Sequence, residues 1–344
     1  MPTGASPNGE RPHIGIRRPR GVRLTAPRAD LDVRVALAAG CRLGEGVTWC
    51  DRAQALYWTD IQSAQLWRWQ PGAGAPRRWA MPERLASFAL CEADGWLLLA
   101  LASRLAFFHP DRGELRPVRA IDAPQDVRAN DGACDRQGRF VFGTLHEPAH
   151  GPKRKVGGFH RLQCDLSLAP LPLPEVAIAN GIAFSPDGAT MYFCDSLEKR
   201  IRRCDYGDRL GPDAVFADLA GEAGEPDGSA IDADGGLWNA RWGATCVVRY
   251  RPDGREDLRV AMPARQPTRP AFGGADLATC YVTSAHDGMD AQARAIDVHA
   301  GDVFAFTPGV RGLPEPRFAG DPDALPRTAR GAHPEKIHAT EHPA

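Results

Sequence analysis

Two carboxylates and one carboxamide, Glu45, Asp227 and Asn180, recur in one kind of setting. Each stands beside a glycine at the start of a short apolar run, in LGEGVTW, EPDGSAI and ANGIAF. Their oxygens are hard donors suited to a divalent cation, with the remaining coordination positions left to water or substrate. Without the ion, two carboxylates held close together repel, and one takes up a proton. A cation with open positions polarises a carbonyl oxygen and helps to deprotonate water, so such a trio points to hydrolysis of an ester-like bond. Singly, each is an ordinary turn residue, because Asn-Gly and Asp-Gly are strong turn dipeptides. Their chemistry therefore depends on whether the chain brings them together.

The elements that would do so form a repeat. Helical periodicity is hard to find, whereas a short apolar strand, a turn and a second strand rich in aromatic and β-branched residues recur from Val47, Phe88, Gly132, Ile182, Ser229 and Pro270. These six starts lie roughly 41 to 50 residues apart, the period of a β-propeller blade of four short strands. Later parts of the unit recur as AQLWRWQPG, RLAFFHPDRG, KRIRRCDYGD, CVVRYRPDG and GDVFAFTPG. Equivalent positions in a propeller face one end of a common channel. Stepping back about eight residues, one short strand plus its approach, from Gly95, Gly138, Gly188, Gly235 and Gly274 reaches Ser87, Asn130, Asn180, Asp227 and Gln266; the same step from Ala53 reaches Glu45. The expected fold is thus all-β, a six-bladed propeller with a metal site at one end of its channel. Of three Pro-Asp-Gly tripeptides, Pro186-Asp187-Gly188 and Pro252-Asp253-Gly254 fall at turn phase, while Pro226-Asp227-Gly228 opens an inner strand and turns its Asp to the channel.

The rest of the 344-residue chain narrows the function by exclusion. Lys and Arg total 42 against 43 Asp and Glu, so no global field draws it to nucleic acid or an anionic membrane. No apolar run is long enough to span a bilayer, and nine scattered cysteines with no C-x-x-C pair read as reduced thiols, which suits a cytoplasmic protein. Residues 1–30 and 321–344 read as an N-terminal extension, expected to be disordered, and a C-terminal tail, flanking a propeller over 31–320. No heptad or apolar strip marks an oligomeric interface. His146-Glu147-Pro148-Ala149-His150 satisfies H-E-x-x-H, but zinc binding by that pattern needs a helix. Pro148 within it and Pro152 after it make a loop the expected structure.

With these blocks in place, the sequence resembles the SMP-30/gluconolactonase/LRE family of six-bladed propeller sugar lactonases. The resemblance runs from about Leu43 to Phe318 on LGEGVTW, LYWTDI, RANDGACDRQGRF, ANGIAFSPDGATMYFCDS, PDGSAIDADGGLWNARWG, QPTRPAFGG and GVRGLPEPRF. It implies that Glu45, Asn180 and Asp227 hold a Ca²⁺, Zn²⁺, Mg²⁺ or Mn²⁺ ion, and that Asp227 is also the base that activates water. It implies further that Arg128 and Asn130 contact the substrate, a small-molecule sugar lactone, and that Glu147 is the candidate for an acid following the GTL strand. Val47 stands where the family usually has Pro. The rim loop 144–158 would select the sugar. Two other readings keep the propeller: a metal-dependent esterase or organophosphate hydrolase, and a non-catalytic interaction platform.

Overall fold

The two inner strands of each blade are buried on both faces, which is why alternation of apolar and polar residues is so weak there in the sequence. In a computed structural model that describes residues 1, 28–29, 31–325 and 335–341, six antiparallel sheets stand around a channel as the blades of a propeller. The first comprises Gly44–Cys50, Ala55–Asp60, Gln65–Trp69 and Arg77–Ala80, and the second Leu85–Leu90, Leu97–Leu101, Arg104–His109 and Glu114–Ala120. The third comprises Val127–Cys134, Phe140–His146, Phe159–Leu162 and Leu168–Pro170, and the fourth Ala179–Phe184, Thr190–Asp195, Arg200–Asp205 and Ala214–Asp218. The fifth comprises Glu225–Ile231, Leu237–Trp242, Cys246–Tyr250 and Glu256–Ala261. The sixth takes Pro267–Gly273, Thr279–Ser284 and Val303–Phe306 from late in the chain and its outer strand, Arg34–Leu37, from early in it. That exchange fastens the ring shut with backbone hydrogen bonds.

Each sheet buries its two faces against its two neighbours, so the core is divided into six clusters, one per junction. Trp58 and Trp67 of the first blade, for example, pack with Tyr281 and Val303 of the sixth. Phe142 of the third blade meets Leu98 and Phe107 of the second. Burial of this kind yields about 25 cal/mol per Å² of apolar surface and holds the inner strands at fixed distances from the axis.

The hairpins joining first and second strands turn where expected. Gly95, Gly138, Gly188, Gly235 and Gly274 have φ of 76°, 78°, 71°, 79° and 84°, and in the glycine-free turn of the first blade Gln54 takes the left-handed conformation at 45°. Pro186-Asp187-Gly188 and Pro252-Asp253-Gly254 lie in turns, whereas Pro226-Asp227-Gly228 lies inside an inner strand. All six inner strands carry a register shift near their start, such as that between Glu45 and Thr48 and that between Asn180 and Ala183. A bulge of this sort re-aims the side chains beside it.

Residues 311–319 cross the far end of the channel: Ala233 N–H donates to Arg311 O at 2.8 Å, and Ala319 N–H donates to Gly138 O at 2.9 Å. Three short strands extend the blades outward. Arg28–Ala29 pairs with the fifth, Glu335–Lys336 with the second and Ala339–Glu341 with the first. The expected extension over 1–30 lies, apart from residues 1, 28 and 29, outside the described residues. All nine cysteines are free thiols, eight of them buried. Among the described residues no helix is long and apolar enough to cross a membrane.

Candidate active site

At the end of the channel where the inner strands begin, a cavity of about 350 Å³ is lined by Glu45, Arg128, Asn130, Glu147, Asn180 and Asp227. All six expected site residues thus line one space, although they come from four blades. Bulges deliver them there. Gly228 is glycine for a packing reason: a Cβ there would lie 2.7 Å from Arg269 Cβ of the neighbouring inner strand.

The polar groups form one connected chain. Arg84 of the second blade pairs with Glu147. Arg128 donates to Glu147 from Nε to Oε2 at 2.9 Å and from Nη2 to Oε1 at 3.1 Å. Its Nη1 donates to Asn130 Oδ1 at 3.1 Å and to Ala129 O at 2.9 Å. Asn130 Nδ2 donates to Ala179 O at 3.0 Å and to Asn180 Oδ1 at 3.1 Å, and Asn180 Nδ2 donates to Ser196 Oγ at 2.9 Å. Ser196 Oγ donates in turn to Pro226 O at 2.8 Å. Asn239 Nδ2 supports Asp227 from behind, donating to its backbone oxygen at 2.7 Å.

Charge is distributed unevenly across the cavity. Burial pushes the Asp227 carboxyl well above the usual carboxylate range, and the nearby charges of Glu45 and Asp131 push the same way. Glu45 is raised by burial and by Asp131, against a 3.1 Å hydrogen bond from Gly46 N–H and the charges of Arg269 and Arg128. Glu147 goes the other way: burial raises it, but the Arg128 hydrogen bonds and the charges of Arg128 and Arg84 bring it to about 2. One wall therefore holds two carboxylates short of positive charge, and the other a carboxylate saturated with it.

This donor set fits a hard divalent cation. Asn180 has its oxygen fixed by hydrogen bonds at both ends of its amide, and Glu45 and Asp227 supply the negative charge that such an ion would neutralise. Among the described residues no group of three or more His, Cys, Asp and Glu side chains gathers as a ligand set, and the candidate here is two carboxylates with a carboxamide. The His146-to-His150 segment is the end of Phe140–His146 followed by loop, and His146 Nδ1 accepts from Arg154 N–H at 3.0 Å.

Two residues singled out by phase do not line the cavity. Gln266 turns its Nε2 to Asp287 O at 3.1 Å, and Ser87 is buried in the second blade. Lys153, Ser196, Glu225 and Asp287 line the cavity without having been anticipated. Lys153 and Asp287 lie in loops of unequal length, which a repeat cannot align. Ser196 had a usable signal, since it directly follows the second strand of the fourth blade, at the mouth.

Fold and cavity together define a six-bladed propeller with an oxygen-rich pocket at one end of its axis. The model of the SMP-30/gluconolactonase/LRE-like region matches residues 43–286, and the chain belongs to that family. It is 50% identical over 282 residues to an L-arabinolactonase of Azospirillum brasilense, covering 81% of this chain and 93% of that one. It is 36% identical to a 6-deoxy-6-sulfogluconolactonase of Pseudomonas putida, over 81% of this chain and 95% of the relative. Among solved structures it resembles a calcium-binding protein, regucalcin, from Agrobacterium tumefaciens, with a TM-score of 0.78 and 30% identity over 84% of this chain and 97% of that one.

Proposed function

We propose that the protein hydrolyses a sugar lactone to the aldonic acid, with a divalent cation held by Glu45, Asn180 and Asp227. The observation that carries this reading is the convergence of these three, with Arg128, Asn130 and Glu147, on one cavity of about 350 Å³. When bound, the cation supplies Lewis-acid polarisation of the lactone carbonyl and compensates the developing oxyanion charge.

The protein's own groups do the rest. Asp227, its carboxylate favoured by the bound cation, would take the proton of the attacking water. Arg128 has five N–H donors, four of them committed to Glu147, Asn130 and Ala129, so one remains for a ring or hydroxyl oxygen of the substrate. Asn130 has spent both amide hydrogens on Ala179 and Asn180, so it offers the substrate only acceptor capacity. Glu147, ionised throughout the working range, accepts from sugar hydroxyls with the lone pairs its arginines leave free.

The L-arabinolactonase relative places pentonolactones first on a panel of substrates. Acid release from arabinono-, xylono-, galactono- and gluconolactone is followed in a pH-stat, with spontaneous hydrolysis subtracted. Catalysis that is abolished by a chelator and restored by Ca²⁺, Zn²⁺, Mg²⁺ or Mn²⁺ supports the reading; turnover of none of these lactones overturns it.

A further inference from the structure

We infer that Ser196 is a positioning residue for the cation centre, whose single hydroxyl sets the orientation of Asn180 and the placement of Asp227 together. The inference rests on the cation reading above and goes beyond it to a residue that is not itself one of the proposed ligands.

The argument is one of proton count. A hydroxyl has one proton to give, and Ser196 Oγ lies 2.8 Å from the carbonyl oxygen of Pro226, which can only accept. The proton is therefore committed there, and Ser196 can only accept from its other neighbour, Asn180, 2.9 Å away. That forces the NH₂ end of the Asn180 amide toward Ser196 and its oxygen the opposite way. The other end of the chain fixes the same orientation independently. Ala179 O is also an obligate acceptor, so Asn130 presents its NH₂ group there at 3.0 Å, and the second hydrogen of that group meets Asn180 Oδ1 at 3.1 Å. Asn130 Oδ1 is left to accept from Arg128 at 3.1 Å, which closes the chain without conflict. One lone pair of Asn180 Oδ1 stays open for an ion.

The other half of the device is the carbonyl that Ser196 grips. Pro226 C=O belongs to the peptide unit leading directly into Asp227, within the bulged stretch between Pro226 and Ser229 where strand pairing is interrupted. Ser196 is itself held firmly: it is 3% exposed, and its N–H donates to Ile178 O at 3.1 Å. The Asp195 carboxylate before it accepts from Ala177 N–H at 2.9 Å and from the N–H groups of Ile178 and Leu197 at 3.2 Å each. A rigid corner of the fourth blade thus sets the angle of one oxygen donor on its own blade and of another on the fifth. Without the hydroxyl, the Asn180 amide loses one of its two determinants, and the Pro226 carbonyl leading into Asp227 keeps only the weak contact from Cys194 Sγ at 3.8 Å across the blades.

The test reads ion affinity directly. Free Mn²⁺ is followed by electron paramagnetic resonance as it is titrated into the ion-free protein and its Ser196→Ala, Ser196→Cys and Ser196→Thr variants. Loss of such an outer support weakens ion binding about 10- to 100-fold. Ser196→Ala should therefore raise the Mn²⁺ Kd at least about tenfold with the near-ultraviolet circular dichroism of the ion-free protein unchanged, and Ser196→Thr should restore most of the affinity. Ser196→Cys keeps nearly the same volume with a weaker donor and should fall between them, and it serves if the alanine variant does not fold. Wild-type affinity in both the alanine and cysteine variants overturns the positioning role. If the wild-type protein binds Mn²⁺ no better than Asp227→Ala does, it is the cation centre that fails, and the role of Ser196 with it.

Discussion

Arg128 holds Glu147 with two parallel bonds, Nε to Oε2 at 2.9 Å and Nη2 to Oε1 at 3.1 Å, so the acid and the base of the cavity rim form one rigid plate. A bidentate arginine–carboxylate pair fixes geometry as well as charge. Glu147→Gln keeps the shape but removes one charge-assisted acceptor and leaves Arg84 without its partner. Such bonds are worth about 1.5–3 kcal/mol, so kcat/KM should fall about 10- to 150-fold, chiefly through KM, as measured by steady-state lactone hydrolysis.

The same pair has a signature in acid. The Glu147 carboxyl is held at about 2, below its unfolded value, so its contribution to stability is complete above the ordinary glutamate range and is lost as pH falls through about 2. In urea unfolding followed downward from pH 5, Glu147→Gln should therefore lose less stability than the wild type. An equal acid slope would contradict the pairing.

Glu45 and Asp227 predict the opposite slope for the ion-free protein. Both folded-state values are raised, so the folded state binds more protons than the unfolded one, and stability falls as pH climbs above the ordinary carboxylate range. With a chelator present near neutral pH, Asp227→Asn should be more stable than the wild type. Adding Ca²⁺ or Mn²⁺ at about a hundred times Kd should stabilise the wild type by about 2.7 kcal/mol and the variant hardly at all, read as denaturant midpoints. A variant that gains as much as the wild type would remove Asp227 from the ligand set.

Beneath the cavity a buried ion pair spans the ring. Arg269 of the sixth blade reaches Asp131 of the third, whose carboxylate also accepts from Gly132 N–H and Ile182 N–H at 2.8 Å each. The pair ties blades on opposite sides of the ring. Arg269→Met leaves Asp131 buried without its counter-charge, at a cost of about 3–5 kcal/mol in urea unfolding. The double variant Arg269→Met with Asp131→Asn should recover part of that loss, because it removes both buried charges while the carboxamide oxygen still accepts from one of those N–H groups.

The site was legible where a residue's phase could be counted from a turn, and illegible where turns differ in length. The observed register shows both. In the first, fourth and sixth blades, Glu45, Asn180 and Gln266 lie opposite Thr59, Cys194 and Ala285, each three residues before the first paired residue after the bulge. Counting eight residues back from Ala53, Gly188 and Gly274 found all three of these equivalent positions. In the third and fifth blades the same count found Asn130 and Asp227, which lie one residue further along, within the bulge itself. In a regular strand one residue of offset would turn the side chain to the other face; the bulge absorbs it.

In the second blade the count was wrong. Ser87 is the first paired residue after the bulge, and the equivalent of Glu45 is Arg84, whose backbone oxygen accepts from Ala102 N–H at 2.8 Å. The longer stretch between that inner strand and Gly95 caused the slip. The Arg84 contact with Glu147 was invisible for the same reason, since it joins a misphased residue to a loop that no repeat positions.

At the other end of the axis, Phe318 offers a control that separates stability from chemistry. It is fully buried between the second and third blades, its ring centroid 5.9 Å from that of Phe107. Its backbone bonds on both sides, donating to Leu90 O at 2.7 Å and accepting from Glu92 N–H at 2.9 Å. Phe318→Ala removes a ring from a junction whose walls, Leu98, Phe107 and Phe140 among them, are fixed by sheet hydrogen bonds and cannot close the gap. The expected cost is about 3–5 kcal/mol in denaturant unfolding. The cavity lies at the opposite mouth and takes none of its groups from this junction's far end, so KM and ion affinity in the folded fraction should stay at wild-type values. A change in either would mean that the channel transmits strain from one end to the other, and that the blades are less independent than their six separate cores suggest.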